Sequence, residues 1–189
     1  TSGTFVEMTL DLDSVGRIRQ LAQEQHASVY MLLLAVFKLL LHRLSGQTDI
    51  IVGSPIAGRH RPEIENLIGF FINTIVMRSD FSGNPSFLAL LKQVRQTVLD
   101  AFSNQDLPFE KIVEVLSPER DLSRTPIFQV FFNHIKVASG NQNQGHMPLE
   151  GLETYHYQSK FDLTLYVFED DKKIRLMLVY NDNLFKRQR

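Results

Sequence analysis

The stretch Ile68-Gly-Phe-Phe-Ile-Asn-Thr-Ile-Val-Met-Arg78 sets a polar pair inside an otherwise apolar, β-favouring run. Phe70, Phe71, Ile72, Ile75 and Val76 are good strand residues, and Gly69 and the Asn73–Thr74 pair interrupt them. The segment therefore reads as a buried strand that carries buried hydrogen-bonding groups, and such groups need partners. The plain reading is a core strand with a bulge at Gly69 and an amide that pairs with a neighbouring loop.

Upstream of this strand, Val6, Met8, Leu10 and Leu12 alternate with Phe5, Glu7, Thr9 and Asp11, which predicts a first strand with one apolar face. Asp13 or Ser14 is placed to cap a helix with Val15, Ile18, Leu21 and Ala22 on one side. Ser28 starts a second helix, apolar enough as far as Leu44 to be buried on most sides, and Ser45–Gly46 stops it. Lys38, His42 and Arg43 on that helix read as a solvated or half-buried edge. Asp49–Ile56 is a short apolar strand from which Pro55 turns the chain out of the sheet. Ala57–Leu67, with Arg59, His60, Arg61, Glu63 and Glu65, is a charged loop between two buried strands, a place where binding groups tend to sit.

Downstream, Asp80-Phe-Ser-Gly-Asn-Pro85 is a turn in which Asn84 reads as a cap and Pro85 as the first helical residue. The helix that follows keeps Phe87, Leu90, Leu91, Val94, Val98 and Phe102 on one face. A short helix over Pro108–Leu116 and a charged connector over Ser117–Pro126 lead to a strand over Ile127–Val137. On it Gln129 and Asn133 share one face, and Phe132 and His134 share the other. Ala138–Pro148 reads as an exposed loop, and Leu152–Tyr157, Phe161–Glu169 and Lys173–Tyr180 as strands. Helices between some strands and hairpins between others predict an α/β fold with a mixed β-sheet and no internal repeats.

Composition narrows the function classes. The 189 residues are 43% hydrophobic, enough for a real core, and a formal charge of −1 with both signs scattered leaves no footprint for nucleic acid or an anionic membrane. No cysteine is present, which removes disulfides, Cys-based zinc sites and a thiol nucleophile and suits a cytoplasmic setting. The apolar run Tyr30–Leu41 falls short of the roughly 20 residues of a membrane span. Thr1-Ser2-Gly3, without an initiator Met, suggests a natural chain that begins earlier.

Several site motifs fail on their chemistry. Gly53–Gly58 has the spacing of a phosphate-binding loop, but Arg59-His60 stands where Lys-Ser/Thr is required and Pro55 lacks a donor. His26, His42, His60, His134, His146 and His156 lack ligand spacing, so no metal site is expected. His134, on an apolar strand face, reads as a core histidine.

Three segments change the reading by occurring together and in order: Ile68–Arg78, Asn104-Gln-Asp-Leu-Pro-Phe-Glu110, and Arg120-Asp-Leu-Ser-Arg-Thr-Pro-Ile127. They resemble the last three core motifs of nonribosomal peptide synthetase condensation domains. Gly53-Ser-Pro-Ile-Ala-Gly-Arg59, Phe128-Gln-Val-Phe-Phe-Asn133, Phe161-Asp-Leu163 and Tyr180-Asn181 extend the likeness over nearly the whole chain. Departures are mild: Ile72, Leu107 and Thr125 stand where Val, Tyr and Asn are common.

The resemblance implies that residues 1–189 form the second, C-terminal lobe of such a domain, with a chloramphenicol-acetyltransferase-like fold. The family's His-His-x-x-x-Asp-Gly motif belongs to the other lobe and does not occur here. It also implies amide bond formation between a donor acyl or peptidyl thioester and an aminoacyl thioester. Both ride on phosphopantetheine arms of peptidyl carrier proteins, and no cofactor is bound directly. An N-terminal condensation lobe and adjacent synthetase domains would be the partners, and an uncovered lobe interface invites self-association.

Carried over residue by residue, Arg59 looks like the arginine that pairs with the catalytic motif's Asp, with Arg78 as its competitor. Asn133 looks like a strand amide facing the tunnel between lobes, or else a core hydrogen-bonding group. Asn73 and Thr74 would brace the sheet, and Gln105, Asp106 and Glu110 would tie the connector to helix ends. Arg120, Asp121 and Arg124 would form a structural ion-pair cluster. Two rival readings remain at this point: a carrier-protein or partner-lobe docking module without chemistry, and a small stand-alone acyltransferase using His60 or His134.

Overall fold

The computed structural model describes residues 2–57, 72–117, 124–137 and 157–186. Within them the chain forms, in order, β1 (Ser2–Leu10), α1 (Leu12–Glu24), α2 (Val29–Ser45), β2 (Asp49–Ala57), β3 (Ile72–Asp80), α3 (Phe87–Ser103), α4 (Phe109–Leu116), β4 (Val130–Lys136), β5 (Tyr157–Gln158), β6 (Leu163–Glu169) and β7 (Ile174–Asn181). It is an α/β fold with mixed strand pairing, as the alternation of helices and hairpins predicts. Two compact units divide it, Ile18–Phe132 and the two ends Thr1–Arg17 with Asn133–Arg189.

In the Ile18–Phe132 unit, α2 is the central element. Ser28 caps it, its Oγ accepting from Met31 N at 3.2 Å while Met31 Sδ accepts from Ser28 N at 3.4 Å. Gly46 ends it at φ 71°, a left-handed conformation that costs glycine nothing, and donates its N–H to His42 O. Met31 to Ala35, Phe37 and Lys38 are buried, so most of the helix surface is core. Leu90, Leu91, Val94 and Val98 of α3 are buried, and the helix packs on α2 and β3.

Strand β2 runs antiparallel to β3 from Asp49↔Asp80 to Ala57↔Ile72 and parallel to β4 at Gly53↔Phe131. The strand order of this unit is therefore β3–β2–β4. Pro55 does not turn the chain out: it pairs with Thr74, and the strand continues to Ala57. Among the described residues the β4 pairing is at Gly53, so Pro55 has one described neighbour strand and its missing N–H is tolerated. A β-carbon at Gly53 would collide with the Phe128 ring, which is why this position has no side chain. Phe128 reaches it through a turn closed by Phe128 N–H donating to Pro126 O at 2.9 Å, with Ile127 at φ 72°. That is a γ-turn of the rarer hand, storing about 1–3 kcal/mol of backbone strain.

The second unit has the strand order β4–β6–β7–β1–β5, with β4 divided between the units at Phe132/Asn133. β6 and β7 form a hairpin from Leu163↔Tyr180 to Glu169↔Ile174, and β1 pairs antiparallel with β7 from Gly3↔Asn181 to Leu10↔Ile174. Asp170 builds the hairpin turn by accepting from Lys172 N and Lys173 N. Val167, Ile174, Met177, Val179 and Tyr180 are its buried apolar residues.

Two expected helix caps move. Asp11, not Asp13 or Ser14, caps α1 by accepting from Ser14 N at 2.7 Å. Ser86, not Asn84, caps α3, because Asn84 is spent in the turn at φ 44° and Ser86 Oγ accepts from Ala89 N. Strand β4 starts at Val130, after the γ-turn, not at Ile127. The expected loop at 138–148, nearly all of the strand at 152–157 and the charged loop beyond Ala57 lie outside the described residues.

Candidate active-site wall

Asn73, one half of the polar pair on β3, makes four hydrogen bonds. Its Nδ2 donates to Gln105 O and Leu107 O, both at 2.8 Å, and its Oδ1 accepts from Thr74 N at 2.8 Å and Phe109 N at 3.2 Å. Helix α4 begins after Pro108, which has no side chain able to accept a hydrogen bond, so the first N–H of the helix lacks a local cap. The strand amide supplies one from 36 residues away. The motif at Asn104–Glu110 is thus pinned to the motif at Ile68–Arg78 through main-chain atoms of Gln105 and Leu107. Glu110 lies in the first turn of α4, where a carboxylate suits the positive end of the helix.

Arg78 grips Asp49 with both arms of its fork, Nε to Oδ1 at 2.9 Å and Nη2 to Oδ2 at 3.0 Å. Asp49 holds the guanidinium's pKa above its ordinary value. The pair ties β2 to β3 at the Asp49↔Asp80 end of the ladder, and its solvent exposure keeps its contribution to stability small. Arg124 is exposed at the start of the segment leading to β4. Arg59, Gly69, Arg120 and Asp121 lie outside the described residues.

On β4 the alternation of side chains puts Asn133 and His134 on opposite faces. Asn133 is half-buried, and among the described residues its amide makes no side-chain hydrogen bond, whereas Gln129 donates to Thr125 O. His134 goes inward: its side chain is 6% exposed, and Nε2 lies 2.9 Å from Oε2 of Glu169 on β6, itself 11% exposed. Burial lowers the pKa of His134 and outweighs the opposing pull of the Glu169 carboxylate. A ring so enclosed is not a base that a substrate can reach. Sequence reasoning missed its carboxylate partner, although an acidic residue closing the apolar run Leu163–Phe168 was a visible signal.

Lys38 corrects a second expectation. It is fully buried, not a solvated edge, and its Nζ donates to Ser79 Oγ at 2.8 Å. Burial pulls its pKa down from 10.5 to about 7. Tyr30 makes a comparable tether from the start of α2 to β2, donating to Ser54 Oγ at 2.9 Å, with its pKa pushed up to about 12 by burial. Among the described residues no group of three His, Asp or Glu side chains is placed to hold a metal.

The Condensation domain family profile matches residues 1–189. The chain belongs to the condensation-domain family. Malpinin synthetase of Mortierella alpina is 40% identical over 190 residues, covering 98% of this chain and 2% of the synthetase. Tyrocidine synthase 3 of Brevibacillus parabrevis is also 40% identical, over 191 residues, covering 98% of this chain and 3% of that synthase. A four-domain nonribosomal peptide synthetase solved with AMP and glycine superposes with a TM-score of 0.85 at 22% identity, covering 98% of this chain and 15% of that one. The condensation domain of the monacolin K polyketide synthase MokA gives 0.79 at 22% identity, over 97% of this chain and 43% of that one. At those identities the two structures establish the fold. The condensation-domain segment spans a small fraction of its sequence relatives, and among its described residues no single helix is long and apolar enough to cross a membrane.

Proposed function

We propose that this segment is the C-terminal lobe of a condensation domain and supplies the acceptor-side wall of a tunnel in which a nonribosomal peptide synthetase makes amide bonds. The observation that carries this reading is a family match over the full segment in a sequence that lacks the His-His-x-x-x-Asp-Gly motif. The solved MokA condensation domain, of which the segment covers 43%, leaves room for a second lobe of similar size.

In the reaction the amine of an aminoacyl thioester attacks the carbonyl of the donor thioester. A C–N bond forms, the C–S bond breaks, the donor's phosphopantetheine thiol departs, and the amine gives up a proton. Substrate positioning and hydrogen bonds to the tetrahedral centre lower such a barrier, and a wall without a base of its own contributes to both. Asn133 is the group we assign to that wall, because its amide is not consumed by the described core. Arg59 is assigned to the ion pair with the catalytic motif's Asp in the other lobe, since Arg78 is already committed to Asp49. The N-terminal lobe, peptidyl carrier proteins and adjacent synthetase domains are the partners, phosphopantetheine enters only as the substrates' carrier, and the setting is the cytoplasm.

Joining this lobe to an N-terminal lobe that carries the double-histidine motif tests the proposal. The joined protein should form an amide from two loaded carrier proteins, whereas the lobe alone should not. Verified lobe association without product would refute it, and turnover by the lobe alone would favour a self-sufficient acyltransferase.

A further inference from the structure

We infer that His134 and Glu169 are positioning residues, a buried staple between β4 and β6 that fixes how Asn133 is presented to the reacting thioesters. The inference rests on the reading of Asn133 given above and adds the device that holds it.

Glu169 meets β4 and its continuation twice. Its main-chain carbonyl accepts from Val137 N at 2.8 Å, and its carboxylate lies 2.9 Å from His134 Nε2. These contacts bracket the last residues of β4, immediately after Asn133. An apolar pair would serve packing here equally well, since buried polar and ionic pairs are commonly matched or bettered in stability by apolar residues of similar volume. What an apolar pair does not supply is a register. Shifting β4 by one residue against β6 would leave an imidazole and a carboxylate buried apart from each other, and would turn Asn133 to the other face of the strand. With the pair in place, one register is strongly preferred, and in it the Asn133 amide stays on the face opposite the His134 ring. Lys136, on the same strand, also acts on His134 and opposes protonation of the ring.

The test uses a complete condensation domain containing this lobe, supplied with a loaded donor carrier and varied concentrations of a loaded acceptor carrier. Asn133→Ala is the reference. His134→Leu combined with Glu169→Leu should keep the melting temperature within a few degrees, lower kcat at least about fivefold and leave KM for the acceptor carrier near its original value. Adding Asn133→Ala to that pair should cost little more. His134→Gln alone, which keeps a donor at the same place, should recover most of kcat. Should the leucine pair fail to fold, Glu169→Gln takes its place, with faster hydrogen exchange at the β4 amides as the expected result and unchanged exchange as the contrary one. A leucine pair with kcat within twofold, beside a damaging Asn133→Ala, overturns the staple and leaves the role of Asn133 standing. An Asn133→Ala variant with unchanged kcat overturns both.

Discussion

At the scale of single residues, polar groups inside apolar elements carry most of the information. Asn73→Ala removes four hydrogen bonds and strips the first N–H of α4 of its acceptor. At about 0.5–1.5 kcal/mol per bond, discounted for partial exposure, urea denaturation should read a loss of about 2–3 kcal/mol. Asn73→Asp keeps both acceptor bonds but sets a carboxylate oxygen against the carbonyls of Gln105 and Leu107, so it should lose at least as much. Lys38 predicts a pH dependence. The unfolded chain holds this proton up to about 10.5 and the folded chain releases it near 7, so between those values the unfolded state binds more protons and stability rises with pH. Lys38→Met should remove a slope of up to roughly 1.4 kcal/mol per pH unit in that window, seen in melts from pH 7 to 10. The need of Asn73 for partners was legible in the sequence, but their identity was not, because they are main-chain groups of a distant connector. The charge of Lys38 misleads. Its spacing from Leu34 and Ala35, both fully buried, already puts it on a core face.

At the scale of elements, the helices and strands that leave a periodic pattern are legible, with ends displaced by a few residues where two signals compete. Pro85 and Asn84 imitate a helix start that Ser86 actually makes. Ile127 and Phe128 imitate strand residues in a segment that is bent, since a positive φ at a β-branched residue has no signature in composition. The match between β2 and the chain before β4 predicts its own test. Gly53→Ala should destabilise the protein by about 1–3 kcal/mol through overlap with the Phe128 ring. Phe128→Leu in the same chain should return part of that loss, and a denaturation cycle over the four proteins measures the coupling. Additive effects would show that the ring moves aside freely.

At the scale of the whole molecule, apolar side chains left at the surface are the informative feature. Val36, Leu40 and Leu44 recur every fourth residue along α2 and are 45%, 48% and 78% exposed, away from the face of that helix that is core. With a net charge of only −1, little electrostatic repulsion opposes association. The isolated segment should therefore sediment as a concentration-dependent mixture, and Leu40→Lys with Leu44→Lys should restore a monomer while changing stability by less than about 0.5 kcal/mol each. A monomer at all concentrations before substitution would contradict this. The sequence motifs pointed to the family, but they did not reveal which of their polar residues serve the fold and which remain available. Among the described residues, Asn73 and Arg78 are taken up by hydrogen bonds within the fold, which the motifs alone do not show.

The contact between Gly53 and Phe128 bears on recombination between condensation domains. A chimera whose crossover falls between these positions inherits one from each parent, so a parent with a side chain at the first and another with an aromatic ring at the second would yield a misfit that neither possessed. Crossovers placed before Gly53 or after Phe128 keep the two together.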